Sequence, residues 1–181
     1  MCGIGGMLGS PDESVLKRMN KLQHHRGPDG SGTFIDDYCG LAHSRLAIVD
    51  VVGSPQPIYG EGKVCVVNGE IYNYKQLRSN QYNYQTNGDS EVILSLHNGY
   101  GNASDHAKWI SKLDGMYSFA LWSNNQLILA RDPMGIKPLL RTIVGDTLLF
   151  SSEAKGLRAH EQYVPRMDNL AIKARIAWEY P

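Results

Sequence analysis

The residues best suited to chemistry open the chain: Met1-Cys2-Gly3-Ile4-Gly5-Gly6. A cysteine next to the initiator methionine has an option that no internal cysteine has. Once Met1 is trimmed, Cys2 carries both a thiol and the free α-amine of the chain. The small side chains of Cys2 and Gly3 suit that trimming. Reference pKa values of about 7.7–8.0 for the amine and about 8.5 for the thiol lie close together, so much of the amine is free to accept a proton near neutrality. One residue can then supply nucleophile and base, as when a terminal amine activates its own side chain.

An amide-cleaving thiol also needs oxyanion donors and anchors that hold the substrate in attack geometry. Asn68 and Gly69 offer a side-chain NH2 and a backbone N–H. Arg45 stands among apolar residues from Leu41 to Val49, where a charge needs a partner. That partner is either an internal carboxylate or a ligand carboxylate gripped in bidentate fashion. Asp89 and Glu70 can hold an ammonium group. Together these parts suit a free α-amino acid with a side-chain amide. Each residue type also has a plainer use: Asn-Gly as a turn, Asp89 as a helix cap, Arg45 in a structural ion pair. Ser44 and the six histidines show no Ser-His-Asp or His-Glu-x-x-His spacing.

A chain of 181 residues suffices for one substantial domain over 1–181 with its own core. Eighteen basic and eighteen acidic residues cancel, which gives no support to nucleic acid or an anionic membrane as partner. Cys2, Cys39 and Cys65 are too few and too scattered for a disulfide framework or zinc site, and suit a reducing compartment, the cytoplasm. No apolar run approaches a membrane span, and the N-terminal stretch is too short and glycine-rich for a signal peptide.

The elements that must carry these residues follow from pattern. Met1–Leu8 reads as a buried strand. A helix capped by Asp12 carries Val15, Leu16, Met19 and Leu22 at helical spacing and ends near His24. Arg26-Gly27-Pro28-Asp29-Gly30 is a turn, Thr33–Asp50 a strand region, and Val51–Gly62 a loop. Val64–Val67 is a buried strand running into a turn at Asn68-Gly69. A short helix over Tyr72–Leu77 precedes a tight turn at Thr86–Asp89. Asp89 then caps a helix ending at Gly99. A helix over Ser104–Lys112 turns Trp109, Ile110 and Leu113 inward. Strands follow at Tyr117–Trp122, Leu127–Arg131, Leu139–Val144 and Leu148–Ser151, then a helix at Asp168–Trp178. About eight strands grouped by hairpins, with helices between the groups, imply an α+β fold of two stacked sheets between helical layers.

Seven strings carry a resemblance beyond the first four residues. They are His25-Arg26-Gly27-Pro28-Asp29-Gly30, His43-Ser44-Arg45-Leu46-Ala47-Ile48-Val49-Asp50, Asn68-Gly69-Glu70-Ile71-Tyr72-Asn73-Tyr74, Gly88-Asp89-Ser90-Glu91-Val92-Ile93, Leu113-Asp114-Gly115-Met116, Ala130–Leu139 and Phe150-Ser151-Ser152-Glu153. In this order the chain resembles the class II (N-terminal-nucleophile, Ntn) glutamine amidotransferases, and among them the glutaminase domain of glutamine-hydrolysing asparagine synthetases. The match runs from Cys2 to about Leu157.

The resemblance implies a four-layer αββα sandwich of two mostly antiparallel sheets. It also implies hydrolysis of L-glutamine to glutamate and ammonia through a thioester on Cys2. Arg45 would hold the glutamine α-carboxylate, and the backbone of Leu46, Ile48 and Val49 would line the pocket. Asn68 and Gly69 would form the oxyanion site. Glu70 and Asp89 would take the α-amino group, and Gly88 would also contact the substrate. No cofactor or metal is implied in this domain; ATP and Mg belong to a separate synthetase domain, the expected recipient of the ammonia. That domain needs a Ser-Gly-Gly-x-Asp-Ser loop, which this sequence lacks, so the chain is expected to be an excised domain or a natural stand-alone protein. Leu140-Arg141 and Ser123 depart from the family pattern away from the glutamine set, which bears on partner docking. Two other readings remain: an Ntn amidase acting on another amide or a peptide, and a non-catalytic module that retains Met1.

Overall fold

The computed structural model describes residues 1–100 and 106–178. Among them, nine strands rather than eight form two antiparallel sheets. One runs β2 (Gly30–Ile35), β3 (Cys39–Arg45), β1 (Gly3–Leu8), β9 (Thr147–Ser151) and β8 (Leu140–Val144). The other runs β4 (Ile58–Gly60), β5 (Lys63–Ile71), β6 (Gly115–Ser123) and β7 (Gln126–Arg131). The helices are α1 (Glu13–Gln23), α2 (Tyr74–Leu77), α3 (Val92–Gly99), α4 (His106–Ile110), α5 (Ala154–Leu157) and α6 (Asn169–Trp178).

Three apolar clusters define the layers. Ile4, Leu41 and Phe150 of the first sheet meet Val64, Val66, Ala120 and Trp122 of the second. Met7, Ala42 and Leu149 pack outward against Val15, Leu16 and Met19 of α1 and Leu157 of α5. Cys65, Val67, Phe119 and Leu121 pack the other way, against Val92 and Ile93 of α3 and Trp109 of α4. The order is therefore helix, sheet, sheet, helix, the αββα arrangement expected. No helix among the described residues is long and apolar enough to cross a membrane.

Alternation along the strands decides which side chains meet between the sheets. Leu41, His43 and Arg45 share one face of β3. Val64, Val66, Asn68 and Glu70 share one face of β5. Cys2 has the parity of Ile4. All of these fall on the inter-sheet side, and His43 Nε2 donates across it to the Val67 carbonyl at 2.9 Å.

Several local readings are corrected. Thr33–Asp50 is not one strand but the β2–β3 hairpin and the segment after it; Asp36 Oδ1 accepts from the N–H groups of Tyr38 and Cys39 and closes the turn. The Val51–Gly62 loop contains the edge strand β4. Asn68-Gly69 is no turn, because β5 continues to Ile71, with Asn68 opposite Ser118 and Gly69 opposite Tyr117. A Cβ on Gly69 would lie 2.2 Å from the Met116 carbonyl oxygen, so glycine serves a close strand approach there. Pairing with the nine-residue β6 overrides the local turn preference. Asp89 does not cap α3, which starts at Val92 without a side-chain cap. Asp12 does cap α1, accepting from Ser14 N at 2.7 Å and Val15 N at 3.2 Å. Ser104, the expected start of the next helix, lies outside the described residues, and the four-residue α5 is too short for a helical period to mark it in the sequence.

Candidate active site

The inter-sheet faces of β3 and β5 lead into a cavity of about 230 Å³. This is below the roughly 300–1,000 Å³ of clefts that hold drug-sized ligands, and suits something the size of one amino acid. Cys2, Arg45, Leu46, Ile48, Val49, Asn68, Gly69, Glu70 and Asp89 all line it, as does Met1. Nine of the ten site residues expected from sequence thus converge from four separate stretches. The tenth, Gly88, does not line the cavity. A Cβ on it would stand 2.4 Å from Ser54 Oγ, so its part is close packing behind a lining residue.

Cys2 is half-buried just before β1. Its Sγ accepts from Leu46 N at 3.4 Å and lies 3.5 Å from Leu46 O, to which the thiol can donate. Burial pushes the thiol above its ordinary range; the Leu46 N–H, the chain terminus and Arg45 oppose the shift, and Asp89 adds to it. Left to itself, then, the sulfur keeps its proton and needs a base. The Cys2 carbonyl is held by buried Arg26, whose Nε donates to it at 2.9 Å. Arg26 is fixed in turn by Glu153, 2.7 Å from its Nη1. His25 Nε2 and Lys155 Nζ each approach the same carboxylate at 3.0 Å.

Burial alone would raise the Glu153 pKa, but hydrogen bonds from Arg26, Lys155 and His25 outweigh it and hold it at about 2. An acid with a depressed folded-state pKa stabilises the fold above its unfolded value, about 4.3, and loses that contribution as pH falls towards the folded value. Glu153→Gln is therefore expected to lower the urea midpoint at pH 7. The gap from wild type should close as pH drops from about 4 towards 2.

Arg45 has no carboxylate partner among the described residues. Its Nη1 donates to Val51 O at 2.7 Å and its Nη2 to Asp50 O at 2.9 Å. Two carbonyls orient the guanidinium without neutralising it, so the structure does not use Arg45 in an internal ion pair. Asp50, at a φ of 47°, accepts from Gly53 N at 3.1 Å and Asn87 N at 2.9 Å. Its carboxylate thereby joins the segment after β3 to the segment before Asp89.

Asn68 is fully buried, and neither its Nδ2 nor its Oδ1 has a hydrogen-bond partner. Buried amides are normally satisfied, and this one stands at the wall of the cavity, where a ligand or a water can pair with it. Asp89 Oδ2 accepts from Ile71 N at 2.8 Å. Burial raises the Asp89 pKa, the Ile71 N–H lowers it, and nearby Glu70 raises it again. An incoming cation would offset both unfavourable influences.

Ser54, Gln56, Ser90, Met116 and Lys137 also line the cavity and were not singled out from sequence. Ser90, Met116 and Lys137 stand inside the resemblance strings, where a signal existed. Ser54 and Gln56 lie in the stretch read as a loop and offered none; Gln56 Oε1 accepts from Val67 N at 2.6 Å, a contact only the tertiary fold creates. Among the described residues no group of three or more His, Cys, Asp or Glu side chains is placed to hold a metal ion.

Comparison with known proteins agrees with this geometry. The model of the glutamine amidotransferase domain family matches residues 1–181. The chain belongs to that family. Among glutamine-hydrolysing asparagine synthetases, number 1 of Bacillus subtilis is 35% identical over 195 residues, covering 99% of this chain and 30% of the relative. That of Asparagus officinalis is 42% identical over 169 residues, covering 87% and 28%. This amidotransferase domain thus spans under a third of the length of these relatives. Glutamine phosphoribosylpyrophosphate amidotransferase from B. subtilis, solved with ADP and GMP, superposes with a TM-score of 0.71 at 22% identity, covering 87% of this chain and 43% of that one. It shares the fold, consistent with the Ntn-type αββα sandwich.

Proposed function

We propose that this chain, with Met1 removed, hydrolyses L-glutamine to glutamate and ammonia through a thioester on Cys2. The ammonia passes to a synthetase domain or subunit, as in asparagine synthesis. The observation that carries the reading is the complementarity of one small cavity. It presents a thiol, an uncompensated guanidinium, an unpartnered buried amide and two carboxylates. A free glutamine supplies a partner to each. A glutamine inside a peptide lacks the free carboxylate and ammonium that Arg45 and Asp89 would meet, which disfavours a peptide substrate.

In the proposed cycle the Cys2 α-amine takes the thiol proton and the sulfur attacks the carboxamide carbon. The oxyanion that forms is met by Asn68 Nδ2–H and the Gly69 N–H. Collapse breaks the C–N bond, and the protonated amine returns its proton so that ammonia leaves. Water, deprotonated by the same amine, attacks the thioester; glutamate departs and the thiol is restored. Each proton taken is given back, so the cycle needs no outside acid.

The test is to incubate protein shown by mass spectrometry to begin at Cys2 with glutamine and to measure glutamate. A glutamine analogue bearing an electrophilic ketone should label Cys2. Glutamate formation no faster than with Cys2→Ala, and no labelling, would refute the reading. Arg45→Ala is expected to raise KM about 10–100-fold, the loss of hydrogen bonds to a charged group, with a smaller change in kcat. Arg45→Lys should recover part of the loss, since an ammonium cannot bridge a carboxylate in bidentate fashion.

A further inference from the structure

We propose that Glu91 is a positioning residue for the amine end of the pocket, acting through Thr86 to fix the segment that ends at Asp89. The inference rests on the glutaminase reading. Glu91 is a wholly buried carboxylate; it stands at the N-cap position of α3, but its side chain makes no capping bond there. It reaches back instead, accepting from Gln85 N at 2.8 Å, from Thr86 N at 2.8 Å and from Thr86 Oγ1 at 2.7 Å. Thr86 Oγ1 in turn accepts from Gly88 N at 3.2 Å. A chain of hydrogen bonds thus runs from Glu91 through one hydroxyl to the residue before Asp89.

The rest of the segment is pinned from outside. Arg78 Nη2 donates to Thr86 O at 2.7 Å and Gly88 O at 3.2 Å, with its guanidinium 4.3 Å from the centre of the Tyr84 ring. Asn87 N donates to Asp50. Gly88 then packs on Ser54, a lining residue. The direction of donation explains why the central group is a carboxylate. Gln85 N, Thr86 N and the Thr86 hydroxyl all donate towards it, and only an ionised acid accepts from every side. A glutamine there would present an NH2 to at least one of these donors and leave it unpaired. Where that NH2 faces Thr86, the hydroxyl can only accept from it and loses its alignment on Gly88; where it faces Gln85, that N–H is orphaned and the segment is freed one residue earlier. Asp89 would keep its bond to Ile71 while the backbone beneath it shifted, so the loss should fall on recognition of the ammonium rather than on attack by sulfur.

The test uses the chain beginning at Cys2, with glutamine and with 4-carbamoylbutanoate, the same amide without the α-amine. Glu91→Gln and the milder Thr86→Val are each expected to raise KM for glutamine about tenfold, one charge-assisted hydrogen bond lost, with kcat nearly unchanged. Relative to wild type, kcat/KM for 4-carbamoylbutanoate should not move, because that substrate makes no use of Asp89. Thr86→Ser, which restores the hydroxyl, should restore the glutamine KM. Equal losses on both substrates, or no change on either, would overturn the inference and leave the glutaminase reading standing. A wild-type chain that hydrolyses neither amide would overturn both.

Discussion

Cys2→Ala is expected to reduce glutamine hydrolysis to background, a loss of about 10⁴-fold or more, as when the nucleophile of a covalent mechanism is removed. The fold should survive. Cys2 precedes the first hydrogen-bonded residue of β1, is half-buried, and engages only the Leu46 backbone through its sulfur. A thermal midpoint within a few degrees of wild type is therefore the companion result. The role of the base has its own test. Inserting a lysine between Met1 and Cys2 blocks trimming and leaves the Cys2 nitrogen in an amide, which accepts no proton. That chain keeps its thiol, so an iodoacetamide label should still attach to Cys2, while glutamine hydrolysis should be as poor as in Cys2→Ala. Full activity in the blocked chain would show that some other group takes the thiol proton.

The second large effect is expected at Asn68. Removing one oxyanion donor costs about 10²–10³-fold in kcat, and Asn68→Ala should show that loss with KM little altered. Stability should not follow activity. Within the protein both amide atoms are buried without a hydrogen-bond partner, and a buried polar group that the fold leaves unpaired costs up to about 1–3 kcal/mol. Alanine removes that cost and introduces a smaller one, the space left by the carboxamide. The urea midpoint of Asn68→Ala is thus expected to equal or exceed that of wild type. A marked drop in stability alongside the loss of activity would mean that the amide supports the fold itself. The same comparison for Gly69→Ala should come out differently, since a methyl group there runs into the backbone of β6. Loss of stability and activity together would follow.

The candidate residues were legible in the sequence from residue type and from the resemblance strings, Cys2 beside Met1 and Arg45 among apolar neighbours; strand parity, visible only once β5 runs on through Asn68, explains why one cavity gathers them. Val64 and Val66 mark the inward face of β5, and Asn68 and Glu70 fall on it two and four residues further along. The even spacing of Leu41, His43 and Arg45 works in the same way. What the sequence hid depends on partners distant along the chain. Asn-Gly satisfies a turn equally well, and only pairing with Ser118 and Tyr117 keeps those residues extended. Asp89 stands where a cap would stand, yet Ile71 N is the donor it meets. The β2–β3 turn did leave a trace: Asp36-Asp37 offers the short acceptor that an Asx turn uses, but the apolar residues on either side masked it. Edge strand β4, three residues long, is too short for any periodicity to register.

His43 joins the sheet that carries Cys2, the proposed nucleophile, to the sheet that carries Asn68 and Gly69, the proposed oxyanion donors. Burial, helped by the charge of Arg45 and opposed by the bond to Val67, brings its pKa down to about 4. Nε2 faces a carbonyl and must hold the ring hydrogen, so the imidazole remains uncharged through the whole range in which the amine and thiol titrate. The His43 link between the two sheets is therefore indifferent to acidity over that range. A limb in a pH–rate curve near neutrality is thus not a titration of His43.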